Sequence, residues 1–304
     1  MVAAALGLIV AGAESLLSGV TSLSRQTRLS AFALTVLLSG MELENIAAGV
    51  AANLAGFPGA ALGTSLGGVV FLALGVTGFG ALLAPFRTEI SLGVLMWVAA
   101  APLPLLALAV DREISRLDGV LLVVAFLPFI VGLARTGVEI DEDDDDDDDG
   151  LLSRLNPVLR VALGLVLMAL GGNLLSDGLR SLVARFPAGP TLLGNTAIAA
   201  VVESEEIVRV AVPSRRGRAD VAVGNIAGTI VHFLTLNAGI IAIARPLALD
   251  RATLTYYLPA AVIAPTLCFI LLRARHGAGR GMAALLLALY AVYILLSFRV
   301  AGGS

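Results

Sequence analysis

The chain has 304 residues, of which 58% are hydrophobic and 14% charged, with a formal net charge of −3. Soluble domains average about 25% charged residues, so this composition excludes an ordinary soluble protein, and the acidic balance argues against a nucleic-acid partner. The single cysteine, Cys268, excludes an intramolecular disulfide and a cysteine-rich metal site.

Apolar runs of roughly twenty residues, the length that spans a bilayer, recur along the whole sequence. Ten are expected to be spans: 2–23, 30–54, 59–84, 90–110, 117–135, 157–176, 190–213, 219–244, 253–273 and 279–298. The predicted fold class is therefore all-α, a polytopic membrane protein whose partner is the lipid bilayer. The first run lacks the basic lead of a removable signal peptide.

The second run contains "LSGMELENIAAG" at 38–49, which puts Glu42 and Glu44 at intramembrane depth. Ionisable groups there are costly and are retained for pairing, ion binding or a proton path. After the fifth run comes "DEDDDDDDDG" at 141–150, read as a solvated linker, with a cation-collecting or regulatory loop as the sharper alternative. All basic residues are Arg and none is Lys. With the Asp run, this gives a halophile-like composition, for which a genomic base bias is the competing cause.

Loops on one side of a ten-span topology carry twelve arginines, among them Arg25, Arg87, Arg135, Arg215 and Arg273, against seven on the other. The richer side is expected to be cytoplasmic, which puts both termini outside the cell membrane.

The two halves repeat at an offset of 161. Glu42, Glu44, Ile46, Gly56, Ala61, Gly63 and Gly67 fall on Glu203, Glu205, Ile207, Gly217, Ala222, Gly224 and Gly228. Composition readily matches Ala or Ile between apolar runs, but seldom two intramembrane glutamates. The lead-in stretches at 12–23 and 171–182 also align, including Glu14 opposite Asn173. The expected units are a first five-helix repeat (1–137), an acidic cytoplasmic loop (138–155) and a second five-helix repeat (156–304). An odd number of spans per unit inverts the second unit. Inverted repeats are typical of secondary transporters, whose substrate site lies near the midplane where the halves meet. Here that points to "SGMELEN" (39–45) and "AVVESEE" (200–206).

At these residues the chain resembles the calcium/cation antiporter superfamily, the sodium/calcium and proton/calcium exchangers. "LGTSLGGVVF" (62–71) and "VGNIAGTIVHF" (223–233) are similar to the family's Gly-x-x-x-Gly-Ser-Asn motif on the third span of each half. About eighteen residues earlier, the family's Gly-Thr-Ser-x-Pro-Glu motif falls on 40–45 and 201–206. There this chain departs: Met41-Glu42 and Val202-Glu203 replace Thr-Ser, and Glu44 and Glu205 replace Pro. The family's acidic ligand falls on Glu206 in one half and on Asn45 in the other. The motif serine becomes Gly68 or Thr229. The resemblance implies a secondary active antiporter with no cofactor, exchanging Ca²⁺ or another hard cation for Na⁺ or H⁺ by alternating access.

The residues carry their own argument. Glu42 and Asn45 share one helical face, as do Glu203 and Glu206. The two faces would bring three carboxylates and an amide to a midplane cavity, a donor set that suits Ca²⁺, Mg²⁺, Mn²⁺ or Na⁺. Thr229 is a candidate to complete the shell. Gly40 favours an interrupted helix in the first half, and the second half has no equivalent. Glu44 and Glu205 point away from their neighbours at 42 and 203, and Arg209 is spaced to pair with Glu205 or Glu206. Five glutamates against Arg209 leave about four negative charges, more than one divalent ion neutralises, which is a physical reason to expect coupling to a second cation. His232 is more simply read as a satisfied interior group, and the paired glycines as points of close helix approach. Among rival classes, an enzyme is disfavoured because His232 and His276 form no metal motif. A cation channel and a non-transporting relative of the exchanger scaffold stay open.

Overall fold

The structure is a computed structural model that describes residues 2–27, 29–39, 43–136, 155–183 and 189–302. The acidic run and Glu42 lie outside the described residues, and so does the side chain of Glu44.

The described chain is almost wholly helical. Helix α1 (Val2–Gln26) leads to α2 (Ala31–Leu38), α3 (Leu43–Leu54) and α4 (Pro58–Val70). A wide π-type turn, Phe71–Val76, joins α4 to α5 (Thr77–Leu83). Next come strand β1 (Phe86–Arg87), α6 (Leu92–Ala100), α7 (Leu103–Leu108), β2 (Glu113–Ile114) and α8 (Arg116–Arg135). The second half begins with α9 (Pro157–Val183), α10 (Pro190–Leu193), α11 (Ala199–Val202) and α12 (Glu206–Arg215). It continues through α13 (Ala219–Val231), α14 (Ala238–Ala244), β3 (Leu247–Ala248), α15 (Leu258–Arg275), β4 (Gly277–Ala278) and α16 (Arg280–Gly302).

Seven helices among the described residues are long and apolar enough to cross a membrane: Gly7–Gln26, Pro58–Leu83, Leu92–Asp111, Arg116–Arg135, Ala219–Ala244, Thr253–Arg275 and Arg280–Ala301. The other three expected runs take a different form. Run 30–54 is split between α2 and α3, and 157–176 contains a shorter apolar helix, Pro157–Gly171. Run 190–213 passes through three α-helical segments separated by changes of pitch at Gly194–Ile198 and Glu203–Glu205. In the first half Ser39 leaves α2 in extended conformation, and in the second half the helix tightens at Glu203–Glu205.

Local chemistry sets the helix starts. Ser30 and Ser91 accept from the backbone amides of Ala33 and Val94, and Ser115 with Asp118 forms a reciprocal capping box on α8. Pro58 occupies the first turn of α4, where its missing N–H costs nothing. Gly56 and Gly217 take positive φ in the turns that precede α4 and α13.

The offset of 161 reappears in the backbone. Helices α4 and α13, the wide turns Phe71–Val76 and His232–Asn237, and helices α5 and α14 all correspond at that spacing. These two helical rods are the most deeply buried of the long ones. Two short antiparallel ribbons tie the halves together, β1 to β4 and β2 to β3. Strand β3 lies 161 residues after β1, so each ribbon has its counterpart in the other.

The expected close approaches of the glycines are present. A methyl group added at Gly63 would lie 2.6 Å from Asn195 Nδ2, and one at Gly67 would lie 2.6 Å from the Asn195 carbonyl carbon. In the other half, Gly224 and Gly228 face the carbonyl oxygens of Phe32 and Val36 at 3.1 and 2.8 Å by the same measure. Helices α1 and α9 interlock likewise, with Gly164 against the Gly12 carbonyl oxygen and Gly171 against that of Ala5. Small residues let backbones touch in this way. The outer surface shows large apolar side chains, including Leu92, Met96, Leu127, Val166, Ile263, Leu295 and Phe298. Such a surface is matched by lipid tails rather than by water.

Candidate functional site

The twin polar segments meet. Asn45, on α3, donates through Nδ2 to Glu203 Oε1 at 2.8 Å, so 158 residues of separation close into one hydrogen bond. Asn45 and Glu203 are both buried, Glu203 almost completely. Glu203 Oε2 is also buried and has no hydrogen-bond partner among the described residues. A buried carboxylate oxygen left open in this way is expensive unless something charged comes to it.

Glu203 opens the tight turn Glu203–Glu205, and Glu206 starts α12. The change of pitch therefore falls at the glutamates themselves. Glu203 lies near Gly68: a methyl added there would be 3.6 Å from Glu203 Cγ and 2.6 Å from Phe233 Cε2. Where the resembled motif has a serine, this chain removes the side chain, and Glu203 and Phe233 border the space.

The other glutamates of the second half are differently engaged. Arg209 donates through Nη2 to Glu205 Oε1 at 2.7 Å and through Nη1 to Glu206 Oε1 at 2.6 Å. The expected pairing is thus made with both partners at once. Glu206 Oε2 accepts from Asn225 Nδ2 on α13, so both of its oxygens are held by protein donors. Sequence reasoning missed Asn225; its counterpart 161 residues earlier is Thr64, so the repeat gave no sign of it. All four side chains are buried. A buried ion pair of this kind balances a large desolvation cost with charge-assisted hydrogen bonds.

Thr229 is fully buried on α13, and its hydroxyl has no hydrogen-bond partner among the described residues. His232 is buried, holds the Gly228 carbonyl oxygen through Nδ1 at 2.8 Å, and packs on the Phe126 ring at 4.7 Å between centroids. It is a satisfied interior group. Glu14 faces Arg216 at 3.5 Å on the exposed surface. Glu42 and the side chain of Glu44 lie outside the described residues, and the first half meets Glu203 through Asn45 and Gly68. Among the described residues no group of three His, Cys, Asp or Glu side chains is arranged to hold a metal ion. What is visible is a mixed cluster of carboxylate and amide built where two buried helical segments meet.

The profile of the family described as sodium/calcium exchanger protein matches residues 1–134 and 157–299, on both sides of the acidic run. The chain is 28% identical to the inner membrane protein YrbG of Escherichia coli (strain K12) over 286 residues, which covers 87% of this chain and 85% of that protein. It is 25% identical over 276 residues to the putative antiporter CaxA of Alkalimonas amylolytica, covering 84% and 85%. Its fold is similar to that of the sodium-calcium exchanger NCX_Mj soaked with zero Na⁺ and Ca²⁺, with a TM-score of 0.76 over 96% of each chain at 19% identity. The same exchanger soaked with 2.5 mM Na⁺ and 1 mM Sr²⁺ gives a TM-score of 0.75 at 20% identity, over 96% of this chain and 95% of that one. A family profile that covers nearly the whole chain, over a fold of buried paired rods with an apolar exterior, establishes that this multi-pass membrane protein belongs to the sodium/calcium exchanger protein family.

Proposed function

We propose that the chain is a secondary active cation antiporter that exchanges Ca²⁺, or another hard cation, for Na⁺ or H⁺ by alternating access. The class follows the family, described as sodium/calcium exchanger protein, and a relative described as a putative antiporter. The reading rests above all on one observation, the Asn45–Glu203 hydrogen bond, which joins the twin motifs and leaves Glu203 Oε2 buried and open. A buried, open carboxylate oxygen beside an amide suits a cation that prefers oxygen ligands.

In this proposal Glu203 is the principal ligand. Asn45, Thr229 and the first-half glutamates Glu42 and Glu44 complete the site, while Glu205 and Glu206 set its charge. The scaffold is two inverted five-helix repeats, 1–137 and 156–304, joined by an acidic cytoplasmic loop at 138–155, with both termini outside. Support for this comes from the 161-residue correspondence of rods, wide turns and ribbons. A site shared by two such units opens to one side at a time when one unit moves against the other. Because the carboxylates cannot stay bare at that depth, the return of the empty site requires the counter-ion, and that requirement couples the two fluxes.

The test is uptake of Ca²⁺, Mg²⁺, Mn²⁺ or Na⁺ into vesicles under imposed Na⁺ and pH gradients. The expected result is saturable uptake that depends on the counter-gradient. Flux that ignores every counter-ion would assign the chain to channels instead.

A further inference from the structure

Comparing the two halves residue by residue isolates what the second half has in surplus. Glu42 and Glu44 have counterparts in Glu203 and Glu205. Glu206, however, stands opposite Asn45, and Arg209 stands opposite Ala48. The second half therefore carries one extra carboxylate and one extra guanidinium. Those two extra groups are each other's partners, 2.6 Å apart and buried. Arg209 also holds Glu205 at 2.7 Å, and Asn225 closes the remaining oxygen of Glu206. Nearby, Glu203 keeps a buried oxygen with no partner among the described residues.

We propose that Arg209 is a built-in cation: its guanidinium occupies the Glu205–Glu206 part of the site, so that only the part around Glu203 and Asn45 takes an exchangeable cation. This deepens the antiporter reading and rests on it. The ligand class is the same hard cation, Na⁺ or Ca²⁺, and the new content is which carboxylates are withheld from it and by what. The guanidinium suits the task because it stays charged under all ordinary conditions and its fork spans two carboxylates at once. A tethered charge cannot leave with the cargo, so it compensates the carboxylates in every state of the cycle. Removing it would leave Glu205 and Glu206 as a pair of buried carboxylates, a composition that recruits a cation from solution.

The experiment is equilibrium binding of radiolabelled Na⁺ and Ca²⁺ to the full chain in detergent, comparing the parent with R209Q and R209Q/E205Q. The double variant keeps the parent's formal charge and so guards against misfolding from a bare charge. All proteins are purified in cation-rich buffer and exchanged before measurement. The expected result is that R209Q binds about one more cation per chain at saturation than the parent, because an uncompensated carboxylate at that depth takes its charge from solution, whereas R209Q/E205Q, with the parent's charge, binds the parent's number. Parent-like stoichiometry in R209Q overturns the proposal, as does failure of R209Q to fold, which would make Arg209 a structural tie. A parent chain that binds neither ion would overturn the antiporter reading itself, so the two failures are told apart.

Discussion

In the proposed antiporter, Glu203 is the residue on which ion binding turns. Its Oε1 is oriented by Asn45 and its Oε2 is open, so Glu203→Gln removes the charge while keeping the shape. A charged hydrogen-bonding or ligand contact is worth about 1.5–3 kcal/mol, so the apparent cation affinity of Glu203→Gln should fall about 10- to 100-fold, read from uptake at graded cation concentration. An affinity equal to the parent's would remove Glu203 from the site. Glu206 should behave differently, because its two oxygens are held by Arg209 and Asn225. Glu206→Ala leaves a buried guanidinium half-paired, a loss of about 3–5 kcal/mol in comparable buried pairs, visible as a lowered Tm in detergent. An unchanged Tm would mean that the pair is solvated. The pairing of Arg209 was legible from spacing alone, since positions three and four apart share a helical face. Asn225 was not, because it reaches Glu206 from the next helix and only the packing of α12 on α13 brings it there. Asn45 was expected as an amide ligand on the face that meets the second half, but its role as donor to Glu203 depends on how α3 packs against that half, which no periodicity reports.

The elements that hold the site are close-packed pairs. The Gly67 and Gly228 positions allow α4 to touch the Gly194–Ile198 turn and α13 to touch α2. Gly67→Ala and Gly228→Ala each force a methyl onto backbone atoms within 3 Å, and such overpacking costs about 1–3 kcal/mol. Both should lower Tm, and by similar amounts if the two contacts are equivalent; a neutral Gly228→Ala would show that α2 yields freely. The glycine spacing made these contacts legible, since a small residue every fourth position has few other uses in a membrane helix. The wide turns were not legible. Phe71–Val76 reads FLALGV and His232–Asn237 reads HFLTLN, with no residue in common at corresponding positions. Their matching location is a property of the backbone path, which composition does not record. In each rod a threonine hydroxyl donates to a backbone carbonyl at the wide turn, Thr77 to Leu72 at 2.9 Å and Thr235 to Val231 at 2.6 Å. Insertions of this kind are frequent at functional sites, and here they follow directly after the helices that carry Gly68 and Thr229.

At the scale of the molecule, the two ribbons and the two buried rods make each half the template of the other, and the antiporter reading assigns the ion to the place where they meet. Of the ten apolar runs expected from length and composition, seven are long apolar helices among the described residues. The pitch changes of run 190–213 fall on stretches containing Asn195, Thr196, Glu203 and Glu205, which hydropathy treats only as a dip. Arginine asymmetry favours both termini outside, which labelling of single cysteines placed at either end of a Cys268→Ser chain would check; a cytoplasmic location for either end would overturn the orientation. The central claim is that Glu203 carries a cation across against a counter-ion. Vesicle uptake of Ca²⁺ and Na⁺, driven in turn by Na⁺ and pH gradients, should show a flux in the parent that needs the opposing gradient and that Glu203→Gln lowers strongly at cation concentrations below saturation. Equal flux in the parent and in Glu203→Gln, or uptake indifferent to every opposing gradient, would contradict it.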